Sequence, residues 1–217
     1  MNQVDEFYID IETIPSPEPP PLPEMKIPGN YKKEETILKF KEEWGESAEA
    51  KRQELWAKES LNAIKGRIFC IGYAINDLPT DVVYDINEEN MMIKFNEVVK
   101  TLSFPIWIGH NLSDFDLLWL YLRALKYNLS VLKYRIPQDG RNNMIFDTMK
   151  KFTGAAYWRD NRFSLNDVCT FLGVPAKTEM HGSQVFDYYK EGKIDEILKY
   201  CAEDVDAVRQ VYKIIKG

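Results

Sequence analysis

This chain has little of what builds disulfides, zinc sites or membrane spans. Its 217 residues include three cysteines, Cys70, Cys169 and Cys201, with no CxxC spacing among them. Thiols so far apart form neither a disulfide framework nor a zinc cluster. They read as reduced core cysteines of a cytoplasmic protein. Histidine is as scarce, with only His110 and His181. No run of about eighteen apolar residues occurs, so no transmembrane helix and no membrane partner is expected. The opening residues, MNQVDEF, lack the basic start and apolar centre of a signal peptide. Internal repeats are absent. A formal net charge of −6 excludes a generally basic nucleic-acid binder.

What is present is 45% hydrophobic and 29% charged material. That is enough for a core and a solvated surface, and the length fits one domain with an elaboration. The charge is uneven. Residues 123 to 162 carry Arg123, Lys126, Lys133, Arg135, Arg141, Lys150, Lys151, Arg159 and Arg162 against Asp139, Asp147 and Asp160. That segment is therefore +6 and the remainder −12. Its bases are interleaved with Tyr127, Tyr134, Phe146, Phe152, Tyr157 and Trp158. Such a pattern fits a face that meets a polyanion through stacking rings and cations. It fits equally a surface where aromatics bury and lysines solvate.

Periodicity orders the chain. EFYIDIET alternates, with Phe7, Ile9 and Ile11 on one face and Tyr8, Asp10 and Glu12 on the other. IPSPEPPPLPEMKIP holds seven of the eleven prolines and predicts an extended connector. Residues 32 to 64 are rich in both charge signs and predict one or two solvent-facing helices. RIFCIGYAI and DVVYDI predict a hairpin, NEENMMIKFNEVVKTL a helix, and PIWIGHN a short buried strand. LSDFDLLWLYLRALKY predicts a helix capped by Ser113. SLNDVCTFLGV and KIDEILKYCAEDVDAVRQVYKIIK predict two more helices. In the last of these, Ile194, Ile197, Leu198, Cys201, Val205, Val208 and Tyr212 form one apolar stripe. The order implies an α/β sheet with helices on its faces.

Three sets of acidic residues stand out. Asp10 and Glu12 point the same way from one strand: either that face meets water, or the carboxylates converge on cations. Asp116 sits among Phe115, Leu117, Leu118, Trp119 and Leu120, where an ionised carboxylate is costly unless paired or metal-bound. Asp114, nearer the helix start, is explained by the helix dipole. Tyr200 and Asp204 lie four apart on the edge of the last helix's stripe, while Glu203 and Asp206 fall on its outer side.

The order of these sets is more specific than any one of them. DxE on a first strand, N-x-x-x-F-D at a helix start and Y-x-x-x-D near the last helix run through nearly the whole chain. They resemble the motifs of the DEDD 3′–5′ exonucleases of the ribonuclease-H-like fold, in the subclass with tyrosine in the last motif. The resemblance is nearest to the predicted exonucleases related to the proofreading domain of family B DNA polymerases. KGRIFCIGYAI, FDTM and SLNDVCTFLGV also fit that group. The histidine subclass would need histidine where Lys199 stands, and His110 reads as a satisfied structural residue.

The resemblance implies a mixed central sheet flanked by helices, with a Pro-rich and helical insertion after the first strand. It makes residues 1–217 a single exonuclease domain, with 15–64 inserted in it. It implies two divalent cations, Mg²⁺ or Mn²⁺ in its place. Asp10 would bridge both, Glu12 and Asp204 would complete the site with the attacking water, and Asp116 would hold the second. Tyr200 would orient the water or help take its proton. Thr13, Ile14, Asn111 and Phe115 would meet the terminal nucleotide. The implied substrate is the 3′ end of single-stranded DNA, and the product nucleoside 5′-monophosphates. RNA ends remain open, as do a non-catalytic nucleic-acid-binding module and an acidic metal-binding scaffold. A replication or repair partner is open too, with any proofreading done in trans. The 15–64 segment reads as a lid, a strand-separating wedge, a docking hairpin or a helical cover for a sheet edge.

Overall fold

The computed structural model describes residues 4–137, 143–154, 162–175 and 180–217. Arg141, Tyr157, Trp158, Arg159, Asp139 and Asp160 lie outside the described residues. The chain divides into two compact units, Met1–Thr13 with Ile68–Gly217, and Ile14–Arg67.

The first unit is built on a five-stranded sheet. Its strands are β1 (Asp5–Ile14), β2 (Arg67–Ile75), β3 (Asp81–Tyr84), β4 (Pro105–Gly109) and β5 (Ile145–Asp147), in spatial order β3-β2-β1-β4-β5. β2 and β3 form the expected antiparallel hairpin, while β4 runs parallel to both β1 and β5. Parallel strands bury both faces. This is why Phe7, Tyr8 and Ile9 at the sheet's centre are all inaccessible.

The two faces are covered by different helices. Phe7 meets Trp107 edge-on at 4.9 Å and stacks on Phe95 at 6.1 Å. Phe95 belongs to α2 (Glu88–Thr101), which Asn87 caps by accepting the Asn90 N–H. On the opposite face, Tyr8 meets Tyr212 of α8 (Ile194–Lys216) edge-on at 5.5 Å. Tyr8, Ile108, Val205, Val208 and Val211 share one core there. That core also takes in α6 (Leu165–Leu172), which starts in a capping box of Ser164 with Asp167.

Several sequence expectations change. The helix after β4 is α3 (Asp116–Lys126), and its cap position is Phe115, not Ser113. The Ser113 N–H is held by Asp147, and Asn111 turns the chain through a left-handed conformation at φ 59°, which delays the helix by two residues. Asp116 is thus the first helical residue, while Asp114 lies outside the helix and pairs with Lys150 at 2.7 Å. The strand DVVYDI stops at Tyr84 because the Asp85 carboxylate accepts the Asn87 N–H on the way into α2. α4 (Ser130–Arg135), α5 (Thr148–Thr153), α7 (Val185–Lys190) and β5 have no counterpart in the sequence reading. Elements of three to six residues are too short to display a period.

The basic segment is partly committed to structure. Arg123 does not face a polyanion: it is buried, with Nε 2.5 Å from Glu88 Oε1 and its guanidinium 5.0 Å from the Trp119 ring. Arg135 donates to the carbonyls of Leu102 and Ser103.

In the second unit the prolines form no helix or strand, and one helix, α1 (Glu34–Lys58), follows them. Ala48 is its only buried residue. Trp56 Nε1 donates to the Ser16 carbonyl at 2.8 Å, and Ser16 Oγ donates to Glu59 at 2.6 Å, fastening the helix end to the proline segment. No helix among the described residues is long and apolar enough to cross a membrane.

Candidate active site

Strand parity places the first two carboxylates. Tyr8 faces α8, so alternation sends Asp10 and Glu12 to the same side. There α8 brings Tyr200, Cys201 and Asp204 against them. Cys201 Sγ lies 4.0 Å from Asp10 Oδ2, and donor atoms of Asp10, Glu12 and Cys201 all fall within 4.8 Å of one another. The close approach depends on Gly72 of β2. A Cβ there would sit 2.9 Å from Val205 Cγ2 and 3.0 Å from the Cys201 carbonyl.

Asp116 arrives from the other direction. It is 3% exposed, and its Oδ1 accepts the Ile11 N–H at 3.1 Å. The third carboxylate is therefore hooked to the backbone between the first two. Its place at the start of α3 favours the charge. Burial works the other way and, with Asp147 and Asp204 nearby, pushes its carboxyl up to about 8.

Asp147 is the residue that sequence reasoning missed. It is buried at the end of β5 and accepts three backbone N–H groups: Asn111 at 3.1 Å, Ser113 at 3.0 Å and Lys150 at 3.3 Å. It ties the loop that carries Asn111 to the start of α5, upstream of Asp116. The sequence does hold a signal for it, an Asp-Thr pair that caps a short helix.

A pocket of about 390 Å³ opens over this cluster. Asp10, Tyr200 and Asp204 line it, together with His110, Asp167 and His181. His181 is remote from the motifs in sequence, and the fold brings it here beside Gly182 and the Tyr200 hydroxyl. His110 has the structural partners expected of it, Thr148 Oγ1 at 3.0 Å and the Phe163 carbonyl at 2.9 Å, and lines the pocket as well. Glu12 and Asp116 are buried in the same cluster without lining the pocket. Thr13 and Ile14 are buried at the end of β1, and neither is on the pocket wall. Nor are Asn111 and Phe115; the Phe115 ring packs on Trp119 at 5.8 Å. The Asn111 side-chain oxygen is buried and has no hydrogen-bond partner among the described residues.

The electrostatics fit a cation. Burial, with Asp204, Glu12 and Asp10 around it, drives the Tyr200 phenol far above its ordinary range. A hydrogen bond with Cys70 and burial raise the Cys201 thiol well above the usual range, with Asp10 and Glu12 adding to the rise. Asp10 and Glu12 offer carboxylate oxygens beside it, the ligands of hard divalent ions.

Known proteins resemble this chain in sequence and fold. The sequence profile of a family described as "Predicted 3'-5' exonuclease related to the exonuclease domain of PolB" matches residues 72–213. That span holds Asp116, Tyr200 and Asp204, with Asp10 and Glu12 before it. A DNA polymerase of Archaeoglobus fulgidus is 24% identical over 151 residues, which is 64% of this chain and 19% of the polymerase. The family B DNA polymerase from Pyrobaculum calidifontis superposes with a TM-score of 0.58 at 13% identity, over 99% of this chain and 25% of that one. The fold is thus the ribonuclease-H-like fold of a polymerase exonuclease domain, and the chain spans about a fifth to a quarter of these polymerases' length.

Proposed function

Since the chain belongs to the family of predicted 3′–5′ exonucleases related to the exonuclease domain of PolB, we propose that it hydrolyses single-stranded DNA from the 3′ end, releasing nucleoside 5′-monophosphates. The observation that carries this reading is the convergence of carboxylates from three distant stretches, with Asp116 bonded to the backbone between Asp10 and Glu12.

Asp10, Glu12, Asp116 and Asp204 would hold two divalent cations, magnesium with manganese able to replace it. Asp10 would serve both, Glu12 and Asp204 one, and Asp116 the other. When bound, the cations supply charge neutralisation at the phosphate and an activated water. The chain's own groups do the rest. Tyr200 would orient the attacking water through its hydroxyl or help take its proton. The water would attack phosphorus and give up a proton as the bond to the leaving 3′ oxygen breaks, and that oxygen would take up a proton from solvent. The Asn111 side-chain oxygen, which has no partner among the described residues, would accept from the terminal nucleotide. Thr13 and Phe115 would pack against its sugar and base.

The test is wild-type protein and Asp10→Ala with a 5′-labelled single-stranded DNA, in Mg²⁺, Mn²⁺ or EDTA. The expected result is a ladder shrinking from the 3′ end, dependent on metal and absent in the variant. An RNA strand run beside it reads the sugar preference. No cleavage in any lane would overturn the proposal.

A further inference from the structure

A second cleft adjoins the carboxylate pocket. It measures about 700 Å³ and is lined by Phe152, Phe163, Asp167 and Phe171. The Phe152 ring meets Phe163 edge-on at 5.9 Å and Phe171 edge-on at 5.6 Å. Phe171 is 77% exposed and Phe163 41%. Rings so exposed are costly on a protein surface without a ligand to cover them.

Two features join this cleft to the catalytic pocket. Asp167 lines both. The backbone between them, residues 163 to 167, is fixed at one end by the bond from His110 to the Phe163 carbonyl and at the other by the Ser164–Asp167 capping box. The Asp167 carboxylate is turned into that cap, accepting the Ser164 N–H at 3.1 Å and its hydroxyl at 2.7 Å. Those bonds favour its ionised form and fix its position at the edge of the cleft. One basic residue adjoins the rings, exposed Arg162 beside Phe163, while Lys151, next to Phe152 in sequence, turns its Nζ over the Phe146 ring at 5.6 Å.

We propose that this aromatic cleft is a nucleobase slot, which stacks a base of the single strand upstream of the nucleotide being removed. The inference rests on the exonuclease reading and names how that site grips its strand. Stacking rings with neighbouring cations are the chemistry that holds single strands without regard to sequence. Continuity with the catalytic pocket favours a nucleic acid over a protein segment or a second copy of this chain as the occupant.

The experiment compares wild type, Phe171→Ala and Phe171→Trp on two substrates: a single-stranded oligonucleotide, and the p-nitrophenyl ester of thymidine 5′-monophosphate, which reaches the carboxylate pocket alone. Phe171→Ala should lower the ratio of oligonucleotide to ester kcat/KM about tenfold, the loss of one base stack. Phe171→Trp should restore it. An unchanged ratio overturns the slot. So does a change in oligomeric state on size exclusion with Phe171→Ala, which would make the cleft a contact between copies. If wild type cleaves neither substrate, the exonuclease reading fails, and the slot is then read by the tryptophan emission of Phe171→Trp on adding oligonucleotide. Quenching relative to wild type supports it, and no change overturns it.

Discussion

At the scale of single residues, the chemistry rests on keeping carboxylates close together in poor solvent. Asp116 shows the consequence. Its carboxyl is held at about 8, against an ordinary 3.8. A group whose folded value is raised stabilises the fold below its unfolded value, and that stability is lost as pH rises through the folded value. Metal-free protein should therefore melt at falling temperature between about pH 4 and 8. Mn²⁺ should restore the loss, and Asp116→Asn should flatten the profile. Melting curves in EDTA across that range test it, and a flat wild-type profile would refute it. Asp147 acts at one remove. In Asp147→Asn one carboxylate oxygen becomes an amide that faces an N–H donor. Leaving one such group unsatisfied costs about 1–3 kcal/mol. The loop bearing Asn111 and leading to Asp116 loosens, so calorimetry should show weaker Mn²⁺ binding in a protein that still folds. Unaltered binding would leave Asp147 a cap for α5 and nothing more.

At the scale of elements, two contacts set the helices on the sheet. α8 reaches Asp10 because Gly72 offers no side chain, and even a methyl group would lie 2.9 Å from Val205 Cγ2. Gly72→Ala should cost about 1–3 kcal/mol as overpacking. It should also lower activity, since the shift displaces Tyr200 and Asp204 together. Urea denaturation and the ladder assay read the two effects separately. α2 and α3 are joined by Glu88, which accepts from Arg123, from the Tyr127 hydroxyl at 2.7 Å and from the Ile68 N–H at 2.7 Å. Burial alone would raise the Glu88 carboxyl, but Tyr127, Arg123 and Ile68 hold it below its ordinary 4.5. Its contribution is present above that value and is lost as pH falls through the lowered one. Arg123→Ala removes the buried cation beside Glu88, leaving Lys126 at 3.3 Å, and should cost about 3 kcal/mol at neutral pH. The difference from wild type should shrink in acid, and an equal difference at every pH would rule the pair out as the cause.

At the scale of the whole molecule, a chain of net charge −6 that acts on the proposed polyanion would hold it through local cations. Activity on oligonucleotides should therefore weaken steeply with salt. Lys151→Ala and Arg162→Ala should each flatten the slope of log binding against log salt by about 0.7 if each meets one phosphate. Equal slopes in all three proteins would show that the strand runs elsewhere. Much of the fold was legible in the chain. The period of two in EFYIDIET put Asp10 and Glu12 on one face, and the helical period in residues 194–216 put Tyr200 and Asp204 at the edge of a buried stripe. Both periods are local properties of the backbone, and the order of the motifs was enough to name a family. The sequence determined which residues are candidates for the chemistry and which faces they share. Tertiary structure alone decided which segments meet. It buried Arg123 against Glu88, brought Asp147 and His181 to the site, demanded a glycine at position 72, and set Phe152, Phe163 and Phe171 around one cleft. The reason is physical: a period records how a residue is oriented on its own element, while an approach between distant elements depends on the packing of the whole core.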